Sequence, residues 1–401
     1  MSVRRSRPRG ALFRLPAGVV RAALVVRVLD EWWSYLPAGT IEDQHLDLGL
    51  SYSQAGWLLA LLTLGGLVGA PLGALADHGH RRALAAAGAA LLAAGLASFA
   101  FGAPLPVLAA AAMLLGAASD LVIRPLESSL AELADADLDR LLGRQHLLTW
   151  LGDFIGPALL ALGAATVIGW RGVFGLTAAA FVAYAAVLAA TEFPEPGAAP
   201  DGGDRLWRAA FTLLRTPDVL RLTAAELILL PLDEAFLGFA VARLVGAGVG
   251  AAAQVLAGGL VVGGVLGAAI VARRGIDRRQ TSAGAAAMLL GAFAAAAPLA
   301  APAQAAAMAL LGLGTALIWA KVHHRMLTVA PGRSATVPTI VGILSTPALF
   351  VPAAMGAAAD QSSITVALSG AAALTVPLAV AVLRLGGDAV VSPAEIDARD
   401  E

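Results

Sequence analysis

Residues 65–82 read Gly-Gly-Leu-Val-Gly-Ala-Pro-Leu-Gly-Ala-Leu-Ala-Asp-His-Gly-His-Arg-Arg. Gly65, Gly69 and Gly73 recur every fourth residue in an apolar run that Asp77, Arg81 and Arg82 bring to an end. Residues four apart share a helix face. A glycine stripe on that face lets a second helix backbone approach closely in lipid. The same ladder returns as Gly259, Gly263 and Gly267. Two such ladders predict a duplicated, all-helical membrane protein.

Composition agrees. The chain has 401 residues, of which 59% are hydrophobic and 14% charged, against about 25% charged in a soluble domain. A helix needs about 20 apolar residues to cross the hydrocarbon core. Such segments fall at roughly 18–38, 53–76, 83–101, 105–131, 144–167, 170–190, 219–244, 252–272, 281–300, 304–322, 336–358 and 363–384. The expectation is an all-α membrane protein with 12 transmembrane helices in two six-helix bundles related by pseudo-two-fold symmetry. Residues 1–17 form a basic N-terminus, 18–191 the first bundle, 192–217 a linker, 218–385 the second bundle and 386–401 a tail. Trp207, Phe211 and Leu214, opposite Arg205, Arg208 and Arg215, give the linker the pattern of a short interfacial helix, with a plain connecting segment as the alternative.

Arginines cluster before the first segment and in alternate loops thereafter, whereas Glu42, Asp43, Asp47 and Asp360 occupy the opposite loops. The positive-inside rule then places both termini in the cytoplasm. The use of arginine almost to the exclusion of lysine suggests a high-GC bacterial genome, and with it the inner membrane. Cysteine is absent, so disulfides and thiolate sites are excluded. The one lysine, Lys321, lies between Ala320 and Val322, so no Gly-Lys-Ser/Thr phosphate loop exists and ATP-driven transport by this chain is excluded. No nucleophile–base set, metal-ligand set, cofactor motif or nucleic-acid footprint stands out. The adjacent His323 and His324 point apart on a helix. The reading is a monomeric non-enzyme without cofactor, whose partners are the bilayer, a small molecule and protons.

Gly73, Asp77, Arg81 and Arg82 stand in the positions of the signature that joins helices 2 and 3 in the major facilitator superfamily, and the chain resembles that family from residue 18 to 384. The loop glycine is one place early, and His78 replaces a basic residue. The resemblance implies a transporter working by alternating access, with Asp77 latching against the start of helix 11 near Gly332–Thr336. The second half has Val271 where the equivalent acid would stand, so the latch is asymmetric. Gly143, Gly152, Gly156 and Pro157 are similar to the helix 5 pattern of the superfamily's proton-coupled antiporters, including drug and multidrug exporters, although Leu160-Ala161 replaces its closing glycines.

Each half also opens with Leu-Asp-Glu inside its first apolar segment, Leu29-Asp30-Glu31 and Leu232-Asp233-Glu234. A carboxylate at mid-membrane costs about 2.5–3.5 kcal/mol on insertion scales, so each acid there is a functional candidate. On helix 1, Arg27, Asp30, Glu31 and Ser34 share a face, and Arg27 is expected to neutralise Glu31 or Asp30. On helix 4, Asp120, Arg124 and Glu127 share a face. Arg124 and Asp153 sit at similar distances from the intervening turn, which predicts an Arg124–Asp153 ion pair with Asp120 competing. On helix 7, Glu226 and Asp233 share a face, with Glu234 one step round. Asp30, Glu31, Asp120, Arg124, Asp153, Glu226, Asp233 and Glu234 are thus the proton and substrate candidates, with Arg27, Trp33 and Ser34 lining the cavity. Acids outnumber bases, which favours a cationic or neutral amphipathic cargo exported against protons. The alternatives are a proton symporter for a sugar or organic acid, a lipid or lysolipid transporter, and a non-transporting membrane scaffold.

Overall fold

A computed structural model describes residues 17–73, 80–134, 138–194, 217–275, 277–328 and 336–385. Among these residues the regular structure is helical throughout. Helix α1 is Ala17–Gly39, α2 Ile41–Leu48, α3 Tyr52–Gly73, α4 Arg81–Ala100, α5 Leu105–Ala134, α6 Leu138–Ala164 and α7 Gly169–Ala190. In the second half, α8 is Pro217–Gly246, α9 Ala252–Arg274, α10 Arg278–Ala296 and α11 Ala301–Thr328. Then come α12 Thr336–Leu344, a 3₁₀ turn Thr346–Leu349, α13 Phe350–Gln361 and α14 Ile364–Leu383. Helix α2 is too short to span a bilayer. Helices α12 and α13 with the turn between them make one broken crossing, so the crossings match the 12 segments expected from sequence. The linker and its amphipathic stretch lie outside the described residues.

Both ladders do what their spacing predicts, and on equivalent partners. A Cβ on Gly65 or Gly69 would collide with the α5 backbone at Met113 and Ala117. A Cβ on Gly259 or Gly263 would collide with the α11 backbone at Ala305 and Ala309. The partner helices answer in kind, Gly116 resting on Leu62 and Gly312 on Leu260. The close pairs are therefore crossings 2 and 4 in one half and 8 and 10 in the other, which is the expected duplication.

The break in crossing 11 has a local cause. Pro347 opens the 3₁₀ turn and has no N–H to continue the helix. The Ser345 hydroxyl turns back to the carbonyl oxygen of Gly342, 3.1 Å away. Irregular backbone at membrane depth is tolerated where it is buried or lines a cavity, and this stretch does both.

The ends of the helices define two faces, a proximal one where α1 begins and α14 ends, and a distal one opposite. At the distal face the halves are sewn together. Tyr35 on α1 donates to Gln254 on α9 at 2.8 Å, and Gln254 donates to the carbonyl oxygen of Gly39 at 2.6 Å. Asp360, at the end of α13, accepts from the backbone N–H groups of Tyr52 and Ser53 at 2.9 and 2.8 Å. Those are the first two residues of α3, whose N–H groups have no partner within the helix. Ser51 and Gln54 exchange the reciprocal bonds of a capping box at the same helix end. Gly56 and Gly356 let the α3 and α13 backbones touch beside this clasp.

Candidate functional site

A cavity of about 690 Å³ lies between the halves, proximal to these distal contacts. Its walls come from the middle of α3 (Leu59, Thr63, Gly66, Leu67), from α5 (Asp120, Arg124), from α8 (Glu226, Leu230, Pro231, Glu234, Ala235) and from the broken crossing 11. The break exposes Gly342, Ser345, Thr346 and Ala348 to it. On α8, Glu226, Leu230 and Glu234 follow at steps of four, one stripe of a helix, and this stripe is the one that faces the cavity. Sequence reasoning paired Glu226 with Asp233 instead. Asp233 lies on α8, and its side chain is outside the described residues.

Among the described residues, three carboxylates and one guanidinium line the cavity. The guanidinium is engaged, because Arg124 Nε lies 3.1 Å from Asp120 Oδ1 one turn earlier on α5. This corrects the expected Arg124–Asp153 pair. Helices α5 and α6 scarcely touch, since α1 packs between them. In α6, a Cβ at Gly152 would lie 2.6 Å from the Val28 carbonyl oxygen, and one at Gly156 3.0 Å from that of Trp32. Gly152 and Gly156 of the antiporter-like pattern therefore seat α6 against α1, Pro157 lies in the same helix, and the surroundings of Gly143 are outside the described residues.

The wedged position of α1 also overturns the pairing expected for Arg27. Its direct ion pair is with Glu127 on α5, while its charge acts on Asp30 of its own helix only through space. Asp30 turns into the same α1–α5 seam, where Oδ1 accepts from the Ser119 hydroxyl at 2.8 Å and from the Trp33 indole at 3.1 Å. Trp33, expected in the cavity wall, is 2% exposed and belongs to the core. Glu31 follows on the α6-facing side, its Cβ 2.7 Å from where a Cβ on Gly152 would stand. Ser34 bonds back to the carbonyl oxygen of Glu31 at 3.2 Å. Arg27, Asp30, Glu31, Trp33 and Ser34 are all absent from the cavity wall. Arg243, near the distal end of α8, donates to the carbonyl oxygens of Ala295 and Ala296 at the end of α10.

Glu226 stands apart from these groups. It lines the main cavity and also a side chamber of about 170 Å³. Among the described residues its carboxylate has no hydrogen-bond or ion-pair partner. Asp153 and Glu234 each have polar interactions of their own. No cluster of ligands suited to a metal ion occurs among the described residues.

The signature loop is described only in part. Gly73 is the last residue of α3. Asp77 and residues 332–335 of the facing segment lie outside the described residues. Arg81 is buried and donates to the Pro194 carbonyl oxygen at 3.3 Å, closing the end of α4 onto the segment after α7. Arg82 beside it is exposed.

The family model of the Major Facilitator Superfamily matches residues 31–351. A search of curated proteins gives no match. Among solved structures, the nucleoside transporter NupG superposes with a TM-score of 0.72 at 13% identity, covering 93% of this chain and 99% of that one. The inward-open xylose transporter XylE from E. coli gives a TM-score of 0.72 at 14% identity, covering 96% and 100%. A bacterial homologue of the human lysosomal transporter Spinster, inward-facing and unoccupied, gives 0.60 at 17% identity, covering 92% and 94%. At these identities the likeness is one of fold.

Proposed function

Because this chain belongs to the major facilitator superfamily, and is thus a multi-pass secondary transporter, we propose that it exchanges protons for a small amphipathic cation. The observation that carries this reading is Glu226, a carboxylate at membrane depth on a cavity between the two halves. An ionised carboxylate in a low-dielectric site needs a counter-charge. A proton or a cationic cargo supplies it, and the two exclude one another. That mutual exclusion is the coupling that antiport requires. The other charges agree, since Arg124 is committed to Asp120 and Glu234 adds a second acid on the same α8 stripe.

We place the chain in a bacterial inner membrane with both termini cytoplasmic, on the arginine pattern of the loops. The distal clasp is then the closed outer gate, and the cavity faces the cytoplasm. Rocking of residues 18–191 against residues 218–385 would turn it outward. Asp30, in the α1–α5 seam beside Asp120, is the second proton site of this reading.

Proteoliposomes given an inside-acid pH gradient test it, with tetramethylammonium, benzyltrimethylammonium and phenethylammonium outside as probes. Wild type should accumulate at least one of them, the loss of protons driving the cation in. Glu226→Gln should lower that accumulation by at least about tenfold, the scale of one cavity charge interaction, whereas Glu192→Gln at an exposed position should not. Accumulation driven by an inside-alkaline gradient instead would mean symport. Accumulation unaffected by Glu226→Gln would remove this carboxylate from the mechanism.

A further inference from the structure

We propose that the side chamber beside Glu226 is a subsite for a flat aromatic ring, and that the cargo is an aryl-alkylammonium ion with its charge on Glu226. This rests on the reading above and names the class of cation. The chamber lies between α8, α11 and α12. Apart from Glu226 its wall includes Trp319, Val322, His323 and Met326 from α11, and Gly342 from α12. Trp319 and His323, one helical turn apart, stack face to face with centroids 4.7 Å apart and planes 8° from parallel. The indole is 43% exposed, so it keeps open surface beyond its contact with the imidazole.

Three features fix the ligand's shape. The volume of about 170 Å³ suits one ring, as an apolar cavity of about 150 Å³ holds a benzene. The way between the chamber and the main cavity passes Glu226 and Gly342, which line both. A Cβ on Gly342 would meet nothing within 4 Å, so that wall is open. A ring in the chamber therefore leaves an ammonium group one short linker away at the carboxylate. Aromatic faces also attract cations and edges of other rings, so an indole wall favours an arene over a saturated ring of equal size.

Equilibrium binding to the full-length protein in detergent tests this, with phenethylammonium, 2-cyclohexylethylammonium and 2-phenylethanol as probes. Wild type should bind the aromatic cation about two- to thirtyfold more tightly than the saturated one, the span that ring-face interactions cover. Trp319→Leu should erase that preference by weakening only the aromatic cation, and the unchanged saturated cation reports intact folding. Trp319→Phe should keep most of the preference. Glu226→Gln should weaken both ammonium ions and leave the neutral alcohol alone. Equal affinities in wild type, or a preference that survives Trp319→Leu, would overturn the subsite while leaving proton–cation exchange standing. Failure of wild type to bind either cation would overturn both.

Discussion

Replacing Asp360 with asparagine should open the distal face. Both carboxylate oxygens of Asp360 hold N–H groups of α3, so one side chain of the second half caps a helix of the first. A capping carboxylate also meets the positive end of the helix dipole, which an amide does not match. Loss of such a cap costs about 0.5–2 kcal/mol. The cost falls on the distally closed state alone, because rocking the halves apart breaks the cap anyway. The ratio of open to closed molecules should then rise by about two- to thirtyfold. The chain has no cysteine, so spin labels at Phe101→Cys and Leu299→Cys would be the only two. Both sites are exposed, at 85% and 40%, on distal loops of opposite halves. Asp360→Asn should add a longer-distance population to that pair. A distribution identical to the unsubstituted protein would show that the clasp does not set the equilibrium.

The clasp should also survive mild acid. Burial pushes the Asp360 carboxyl up, but the hydrogen bonds from Ser53, Tyr52 and Ser51 outweigh it and hold it below the usual carboxylate range. A depressed carboxylate contributes above its unfolded value and is lost only as pH falls through the folded one. Asp43 on α2 behaves oppositely: burial, then Asp47 and Glu42, push it up to about 6 from 3.8. Its share of stability therefore grows as pH falls through that interval. A distal pH effect centred near 6 belongs to Asp43 rather than to the clasp.

The second large effect concerns Arg27. Arg27→Met should leave Glu127 without its counter-charge in the α1–α5 seam. Removing one partner of a fully buried pair costs about 3–5 kcal/mol. With the two side chains 22% and 40% exposed, a loss of about 1–3 kcal/mol is the expectation after solvent screening. The double variant Arg27→Met/Glu127→Leu should regain most of it, because an apolar pair needs no compensation there. Thermal unfolding of the four species in detergent gives the coupling directly. Additive losses would contradict the pairing.

The fold was legible because its signals are local and repeated. Ladder spacing, segment length and the Asp77–Arg82 loop each survive without knowledge of neighbours. The capping box at Ser51 and Gln54 is equally local. The pairings were not legible, and for one reason: they depend on which helix stands between which. Arg124 and Asp153 were placed at matching depth, yet α1 lies between their helices, so Arg124 turned to Asp120 and Arg27 to Glu127. The cavity stripe on α8 was one step away from the pair chosen, since the 226–230–234 and 226–233 faces differ only by helix rotation. Thr63, Ser345 and Thr346 carried no signal at all. Ser345 and Thr346 reach the cavity wall because crossing 11 breaks at Pro347, and Thr63 reaches it from the middle of α3.

Proton counting on ligand binding tests the central claim most directly. Phenethylammonium binding to the detergent-solubilised protein would be titrated calorimetrically in buffers of differing ionisation enthalpy near neutral pH. If cation and proton compete for Glu226, binding should release up to about one proton per cation, and Glu226→Gln should release none. Binding without proton release in the wild-type protein, or equal release from Glu226→Gln, would contradict the account.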